Sequence, residues 1–212
     1  MENSNQIYNA YLDSSGVSID SRSIKKGSLF FALKGPNFDG NQFANDALKK
    51  GASYVVVDDP DAVEISDNIF LVEDSVNALQ KLALHHRKQL KIPIIAITGS
   101  NGKTTTKELI REVLSQKFLV HSTHGNMNNH IGVPITLLQI SKNHEVAIIE
   151  MGANHLKEIK KLCSIALPNW GYITNFGKAH LEGFGSEQGV INGKSELYEY
   201  LGKNNGKILV NK

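Results

Sequence analysis

Apolar residues in the first part of the chain occur in short runs separated by stretches with helical spacing. Four runs have the length and apolar content of buried strands: 17–19, 29–33, 54–57 and 69–72. Apolar residues from Phe43 to Leu48 recur at helical spacing, and Gly51 follows where a helix C-cap is expected. Another helical pattern follows the fourth run, with Ser75 as its predicted N-cap. We therefore predict a small α/β domain in this part of the chain.

The alternation of strand and helix patterns continues in the second part. The predicted strands are 94–97, 118–120, 146–150, 170–175 and 208–210, and the predicted helices are 107–117 and one that opens at 189–197. Such alternation is typical of an α/β fold with a mostly parallel sheet. The basic stretch from His85 to Lys91 leads into Pro93, which is the candidate domain boundary. We place the domains at 1–90 and 91–212.

The junction between the strand at 94–97 and the helix after it carries candidate phosphate-binding chemistry. Glycine lets the backbone approach an anion closely, and the first N–H groups of a helix point at it. Lys103 would add a positive charge, and the Thr104 hydroxyl would bind Mg²⁺. The general pattern G-x-x-x-x-G-K-[ST] would place its first glycine at Ile97, whereas here Gly99 makes the turn. The alternative is a strand–turn–helix joint rich in small residues.

Composition and charge exclude only a few classes of protein. The 212 residues are 41% hydrophobic and 21% charged, and the net charge of +2 does not predict a nucleic-acid or membrane surface. The single Cys163 excludes an internal disulfide, and its apolar helical surroundings indicate a buried thiol. No apolar run approaches the roughly 20 residues that span a bilayer, and the polar N-terminus has no signal-peptide core. We expect a cytoplasmic protein with no membrane span and no nucleic-acid partner.

Several polar groups follow predicted strands, where ligands bind in open parallel sheets. Glu150 ends the strand at 146–150 and is placed to meet a Mg²⁺ beside Lys103; alternatively it is a capping or solvated acid. The asparagine- and glycine-rich run 122–134 indicates an ordered polar loop, with a plain long turn as the alternative. Ser21 and Arg22 would suit a uracil edge or a diphosphate, although a surface pair in a turn explains them as well.

The glycine loop, in the form Thr-Gly-x-Asn-Gly-Lys-Thr-Thr, resembles the ATP loop of the Mur ligase superfamily. This resemblance implies that ATP is bound by Gly99, Ser100, Asn101, Gly102, Lys103, Thr104 and Thr105. Asp20-Ser21-Arg22-Ser23, followed by Asp39-Gly40, resembles the N-terminal UDP-binding domain of the MurE and MurF branches, which implies UDP-substrate contacts from Ser21 and Arg22. These branches usually have histidine after Asp-Gly, where this chain has Asn41.

Other segments favour the MurF branch over the MurE branch. Glu150-Met151-Gly152-Ala153-Asn154 matches a MurF form, and the run from Thr123 to Pro134 resembles the MurF substrate loop, which implies substrate contacts from Asn126, Asn128 and Asn129. The segment 175–186 resembles one whose histidine approaches a second Mg²⁺, here His180; a structural histidine is the alternative. Lys194 matches the lysine that is carbamylated in the family, with a solvated helix lysine as the alternative.

The resemblance as a whole implies catalytic roles for Lys103, Glu150, His180 and Lys194, and a metal site of Thr104, Glu150 and His180. It also implies an ATP-dependent ligase that adds D-alanyl-D-alanine to a UDP-N-acetylmuramoyl-tripeptide through an acyl phosphate, in peptidoglycan synthesis. The family plan has a third, C-terminal ligase domain, so we expect an incomplete central domain and a fragment without turnover. A MurE-like ligase, or a non-catalytic module that binds UDP-sugars and nucleotides, is the alternative.

Overall fold

The computed structural model describes residues 2–63, 66–177 and 181–211. The chain forms two compact units, Met1–His86 and Arg87–Lys212, each with its own parallel sheet. The division falls inside a helix, a few residues before the boundary at residue 90 that the sequence pattern predicts. Two α/β units with mostly parallel sheets confirm the predicted fold class.

The first unit is a four-stranded sheet with helices and a small hairpin. Its elements are α1 Glu2–Asp13, β1 Val17–Ser18, β2 Leu29–Phe31, β3 Lys34–Gly35, β4 Phe38–Asp39, a 3₁₀ helix Gly40–Phe43, α2 Ala44–Lys49, β5 Tyr54–Val57, β6 Ile69–Leu71 and α3 Ser75–Gln89. The sheet has the order β1-β2-β5-β6 with all strands parallel, and β3 pairs antiparallel with β4. Phe30 lies opposite Val55 in register, and both are fully buried, so the two central strands form the core.

The ends of the helices in this unit show which local signals determine them. Gly51 takes a φ of +103° just beyond α2, as its predicted position after a helix end requires. The predicted N-cap at Ser75 is wrong, because Ser75 is the first residue of α3. The cap is instead Asp74, whose Oδ1 accepts a hydrogen bond of 2.8 Å from the backbone N–H of Asn77.

The second unit is a five-stranded sheet with helices between its strands. Its elements are β7 Ile94–Thr98, α4 Lys103–Leu114, β8 Val120–Ser122, α5 Gly132–Leu138, β9 Val146–Glu150, α6 Glu158–Ala166, β10 Trp170–Ile173, α7 Leu181–Phe184, α8 Glu187–Lys203 and β11 Lys207–Leu209. The sheet has the order β11-β10-β7-β9-β8 and every pairing is parallel. Since β7 lies between β10 and β9, the carboxyl ends of these three strands meet at one edge.

The helix α4 differs from its prediction in start and in orientation. It begins at Lys103, four positions before the start expected from the apolar pattern. The apolar side of that pattern stays largely in solvent, with Leu109 65% exposed and Val113 71% exposed. The buried side carries a lysine instead, because Lys107 is only 1% exposed.

Of the helices that the structure describes, none has the length and the apolar content of a membrane-spanning segment.

Candidate functional site

The loop between β7 and α4 is built to present backbone N–H groups. Gly102 has a φ of +75° and is the N-cap of α4, and no side chain caps that end of the helix. The first N–H groups of α4 are therefore left for a ligand, and the helix dipole favours a negative one. The space beside this loop is an open pocket of about 420 Å³. Its lining comprises Ser100, Asn101, Gly102, Lys103, Thr104, Thr105, Asn126, Asn128 and Glu150.

The segment after β10 holds the loop in place. The backbone N–H of Ser100 donates to the carbonyl of Asn175 at 3.1 Å, and the Ser100 hydroxyl donates to the Gly177 carbonyl at 2.8 Å. The Thr174 hydroxyl donates to the carbonyl of Asn101 at 2.6 Å. These bonds fix the turn without using the N–H groups of the first turn of α4, so the anion-binding groups stay free.

Gly99 and Gly102 both have positive φ, but only Gly99 also lacks room for a side chain. Gly99 has a φ of +142°, and a Cβ there would overlap the hydroxyl of Thr174, whereas a Cβ at Gly102 would meet nothing within 4 Å. We expect Gly99→Ala to destabilise the chain by about 3 kcal/mol, and the matched Gly102→Ala by about 1 kcal/mol. Urea unfolding of both variants measures the difference. Equal losses would show that the contact with Thr174 does not constrain the loop.

Lys103 lies folded across the loop. Its Nζ donates to the carbonyl oxygens of Gly99, at 2.9 Å, and Ser100, at 3.3 Å. The ammonium therefore sits over the loop that leads into the free N–H groups of α4. This places a full positive charge beside the N-terminus of α4, so a phosphate bound there would be stabilised by both the ammonium and the helix N–H groups.

A buried carboxylate faces the first turn of α4. Glu150 is 1% exposed; its Oε2 accepts a hydrogen bond of 3.0 Å from the Thr104 hydroxyl, and its Oε1 accepts one of 2.8 Å from the Asn128 amide. A hydroxyl and a carboxylate side by side are the oxygen ligands that Mg²⁺ takes when waters and phosphates complete its shell. The donor set therefore fits Mg²⁺. Within the described ranges, no group of three or more His, Cys, Asp or Glu side chains is placed to hold a metal.

The predicted metal ligand His180 lies outside the described residues, so its contribution to the metal site stays a prediction.

A larger cleft of about 650 Å³ opens beside the loop pocket and shares Lys103, Asn126 and Asn128 with it. Its further lining comprises Asn129, His130, Gly152, Ala153, Asn154, Glu158, Lys161, Leu162 and Lys194.

Two side chains of the predicted substrate loop form hydrogen bonds within the protein. Asn128 donates to Glu150, and the side-chain oxygen of Asn129 accepts from the backbone N–H groups that open α5. Asn126 is exposed at the rim.

Lys194 reaches the cleft from α8. It is 1% exposed, its Nζ donates to the Ala153 carbonyl at 3.0 Å, and the ammonium lies 5.1 Å from the centre of the Phe184 ring. Burial lowers the pKa of the Lys194 ammonium to about 8, and repulsion from Lys103 acts in the same direction. The solvated-lysine alternative is therefore wrong, because this amine is buried.

In the first unit, Ser21 and Arg22 differ in exposure. Ser21 is buried, and its carbonyl accepts a hydrogen bond of 2.7 Å from Lys50 Nζ. Arg22 is exposed, and its guanidinium makes two hydrogen bonds to the Asp20 carboxylate, at 2.9 and 2.8 Å. These bonds hold the pKa of the Asp20 carboxyl down at about 2. Arg22 is thus an oriented cation at the surface of its own unit.

Asn41, which stands where the resemblance predicts a histidine, has a structural position in this fold. Its side chain is buried, and its amide donates to Asp39 and Asp58 at 2.8 Å each. Its side-chain oxygen accepts from the backbone N–H of Asp58 at 3.1 Å. All the polar atoms of this amide are therefore used to join two loops.

The sequence patterns assign no role to three contributors to the site: Thr123, Lys107 and the segment 174–177. The hydroxyl of Thr123 accepts a hydrogen bond of 2.9 Å from the backbone N–H of Glu150, and Lys107 donates to the Thr123 carbonyl. Only their contacts across the sheet edge connect them with the loop. The one available signal was their position at or shortly after the end of a predicted strand, or in the helix after the loop.

Two models of protein families match the chain over most of its length. One, described as the Mur ligase middle domain, matches residues 97–212. The other, described as the Mur ligase family, catalytic domain, matches residues 13–99. The two matches overlap at residues 97–99, where β7 ends and the glycine loop begins.

Curated relatives and solved structures agree with these models. A Synechocystis sp. protein named UDP-N-acetylmuramoyl-tripeptide--D-alanyl-D-alanine ligase is 48% identical over 184 residues, covering 85% of this chain and 40% of the relative. A crystal structure of MurF from Acinetobacter baumannii has a TM-score of 0.85 and 35% identity, covering 93% of this chain and 46% of that one. The MurF ligase from Thermotoga maritima in complex with ADP has a TM-score of 0.81 and 37% identity, covering 90% of this chain and 44% of that one.

The chain spans less than half the length of each of these proteins. The middle-domain model nevertheless matches more than half of the chain, and the similarity to the solved structures extends over both units. The chain therefore belongs to the Mur ligase family.

Proposed function

We propose that this chain provides the UDP-binding and ATP-binding parts of a MurF ligase, which adds D-alanyl-D-alanine to a UDP-N-acetylmuramoyl-tripeptide. The observation that carries the proposal is the arrangement around the start of α4, where Lys103, Thr104 and the buried Glu150 surround free helix N–H groups. The names of the relatives supply the substrates, and the Thermotoga structure supplies the nucleotide.

The proposed reaction has two steps. The terminal carboxylate of the UDP-linked peptide attacks the γ-phosphorus of ATP, and ADP leaves, so that an acyl phosphate is formed. The amine of D-alanyl-D-alanine then attacks the acyl carbon, phosphate leaves with the bonding electrons, and the nitrogen loses a proton. Thr104 and Glu150 would hold a Mg²⁺ that neutralises phosphate charge. Lys103 and the N–H groups of α4 would orient the transferring phosphoryl group, and the cleft beside them would take the peptide.

Arg22 offers a test that separates the two ligands. We expect Arg22→Ala to weaken binding of the UDP-linked tripeptide at least tenfold, because a charge-assisted hydrogen bond to a diphosphate is lost. ATP binding should change less than twofold, since the glycine loop lies in the other unit. Calorimetric titration of the chain with each ligand measures both.

The matched control is Arg111→Ala, which removes an arginine from α4 that is likewise paired with carboxylates, those of Glu108 and Glu112. It should leave the affinity for the UDP-linked tripeptide unchanged. Failure of the wild-type chain to bind Mg²⁺-ATP would overturn the proposed function. Equal losses of both ligands in Arg22→Ala would overturn the separate UDP site.

Lys194 is the proposed site of carbamylation. The neutral amine would attack carbon dioxide, a nitrogen–carbon bond would form and a proton would be released, leaving an anionic carbamate. Two observations support this: the amine is buried beside the Ala153 carbonyl, and its pKa of about 8 leaves about a tenth of it neutral at pH 7, far more than for an ordinary lysine. The carbamate would also place a negative charge near Lys103 instead of a second positive one.

Carbon-13 NMR under labelled carbon dioxide tests this proposal. We expect a protein carbamate signal that grows as the pH rises from about 6.5 to 8.5 at constant carbon dioxide pressure, because the neutral amine fraction increases through the pKa. The signal should vanish in Lys194→Met and persist in Lys161→Met, which removes another lysine of the same cleft. A signal that survives Lys194→Met would assign the modification to a different amine.

A further inference from the structure

Lys107 is a buried cation that the proposed reaction does not use. It lies one helical turn after Lys103 in α4 and is 1% exposed. Burying an ammonium is costly unless it is paired and hydrogen-bonded, whereas an apolar side chain would fill the same volume without that cost. The pairing is present, since Nζ lies 3.0 Å from the Glu108 carboxylate and donates to the carbonyl of Thr123. Packing alone therefore does not explain a lysine at this position.

Thr123 connects the lysine to the ends of two strands. It is 1% exposed and is the first residue after β8. Its backbone N–H donates to the Ile148 carbonyl in β9 at 3.0 Å, and its hydroxyl accepts from the Glu150 N–H at 2.9 Å. The polar loop that carries Asn128 follows directly. A group that holds the Thr123 carbonyl therefore holds the start of this loop and the end of β9 together.

These contacts close a ring that begins and ends in α4. Lys107 donates to Thr123, Thr123 accepts from the Glu150 backbone, and the Glu150 carboxylate accepts from the Thr104 hydroxyl. Thr104 and Lys107 are three residues apart and so lie on the same side of the helix. The ring fixes the Glu150 carboxylate against Thr104 from two directions. Such support orients binding groups before a ligand arrives.

We propose that Lys107 is a positioning residue that acts through Thr123 to hold the Glu150 carboxylate against Thr104, and so prepares the site for Mg²⁺-bound nucleotide. The inference rests on the proposed function, because it assumes that Thr104 and Glu150 take the metal. Lys107 does not touch the ligand. Its effect is confined to the metal-dependent part of nucleotide binding, because the glycine loop and Lys103 hold the phosphates without it.

The test compares ATP affinity in Mg²⁺ with ATP affinity in EDTA, measured by calorimetry on the whole chain. In Lys107→Met, a side chain of similar length without charge or donor, we expect the Mg²⁺-dependent gain in affinity to fall at least tenfold. The affinity in EDTA should stay within twofold of wild type. Lys107→Arg, which keeps the charge and the donors, should retain the gain within threefold. The control Lys81→Met removes an exposed helix lysine and should leave the ATP affinities in Mg²⁺ and in EDTA at their wild-type values.

A merely structural role would lower the affinity in both conditions together, and that result would overturn the inference. A wild-type Mg²⁺ gain in Lys107→Met would overturn it as well. If Lys107→Met shows no cooperative unfolding transition, Thr123→Val decides, since it removes only the acceptor for the Glu150 N–H and should lose the same gain. A wild-type chain that binds no ATP would overturn the proposed function itself and this inference with it.

Discussion

Replacing Lys103 with alanine should weaken the binding of Mg²⁺-ATP by the chain at least a hundredfold. The ammonium is the one charged group of the glycine loop, and it lies over the loop through hydrogen bonds to the Gly99 and Ser100 carbonyls. A lost charge-assisted contact to phosphate costs about 1.5–3 kcal/mol, and the loss is larger where one cation contacts two phosphates. Calorimetric titration with ATP in Mg²⁺ gives the affinity directly.

The fold should survive this change. Lys103 is partly exposed, and its two hydrogen bonds to loop carbonyls contribute about 1 kcal/mol each, so the free energy of unfolding should fall by no more than about 2 kcal/mol. Lys142→Ala, at an exposed loop position of the same unit, is the control and should leave the ATP affinity unchanged. Affinity within threefold of wild type in Lys103→Ala would disprove the assignment of this loop to nucleotide phosphates.

Local sequence signals were sufficient for the centre of the site. The apolar run of β7, the two glycines and Lys103 lie within ten residues, and β9 is an uninterrupted apolar run that ends at Glu150. Parallel strands place their carboxyl ends at one edge, so the approach of Glu150 to the loop followed from the fold class. The hydrogen bond between Thr104 and Glu150 is the contact that this strand order makes possible.

Other elements could not be predicted because their determinants are not local. The seven residues of α5 are all buried, so the helix has no amphipathic period, and it sits in a run rich in turn-forming asparagine and glycine. Pro134 is compatible with this helix because it lies in the first turn, where its missing N–H has no intrahelical partner. The start of α6 depends on Glu196, in α8, which accepts hydrogen bonds from the Lys157 and Lys160 N–H groups.

The ring through Lys107 and Thr123 could not be predicted either, because its contacts are not local in sequence. A lysine in an amphipathic pattern predicts a solvent-exposed position, yet here the lysine is buried and the neighbouring Leu109 and Val113 are exposed. Only the order of the sheet, with β9 between β7 and β8, brings the end of β8 beneath α4. Sequence spacing alone does not contain that order.

We expect Glu150→Gln to reduce the Mg²⁺-dependent gain in ATP affinity at least tenfold and to leave the fold intact. A hard divalent cation depends on the charge of its carboxylate ligand, and an amide of the same shape offers only a neutral oxygen. The free energy of unfolding should stay within about 1 kcal/mol of wild type. The glutamine oxygen can accept from Asn128, and its NH₂ can donate to the Thr104 hydroxyl, which rotates to accept.

Titration with ATP in Mg²⁺ and in EDTA, together with urea unfolding, measures both parts of this prediction. The control is Glu145→Gln, an exposed carboxylate just before β9 that accepts from the Leu119 N–H and should keep the full metal-dependent gain. If Glu150→Gln kept that gain, the metal would be held elsewhere. The burial of an ionisable carboxylate at the end of β9 would then have no functional explanation, although the fold bears its desolvation cost. Loss of the gain with unchanged stability would instead show that Glu150 is a carboxylate retained for the metal and not for the fold.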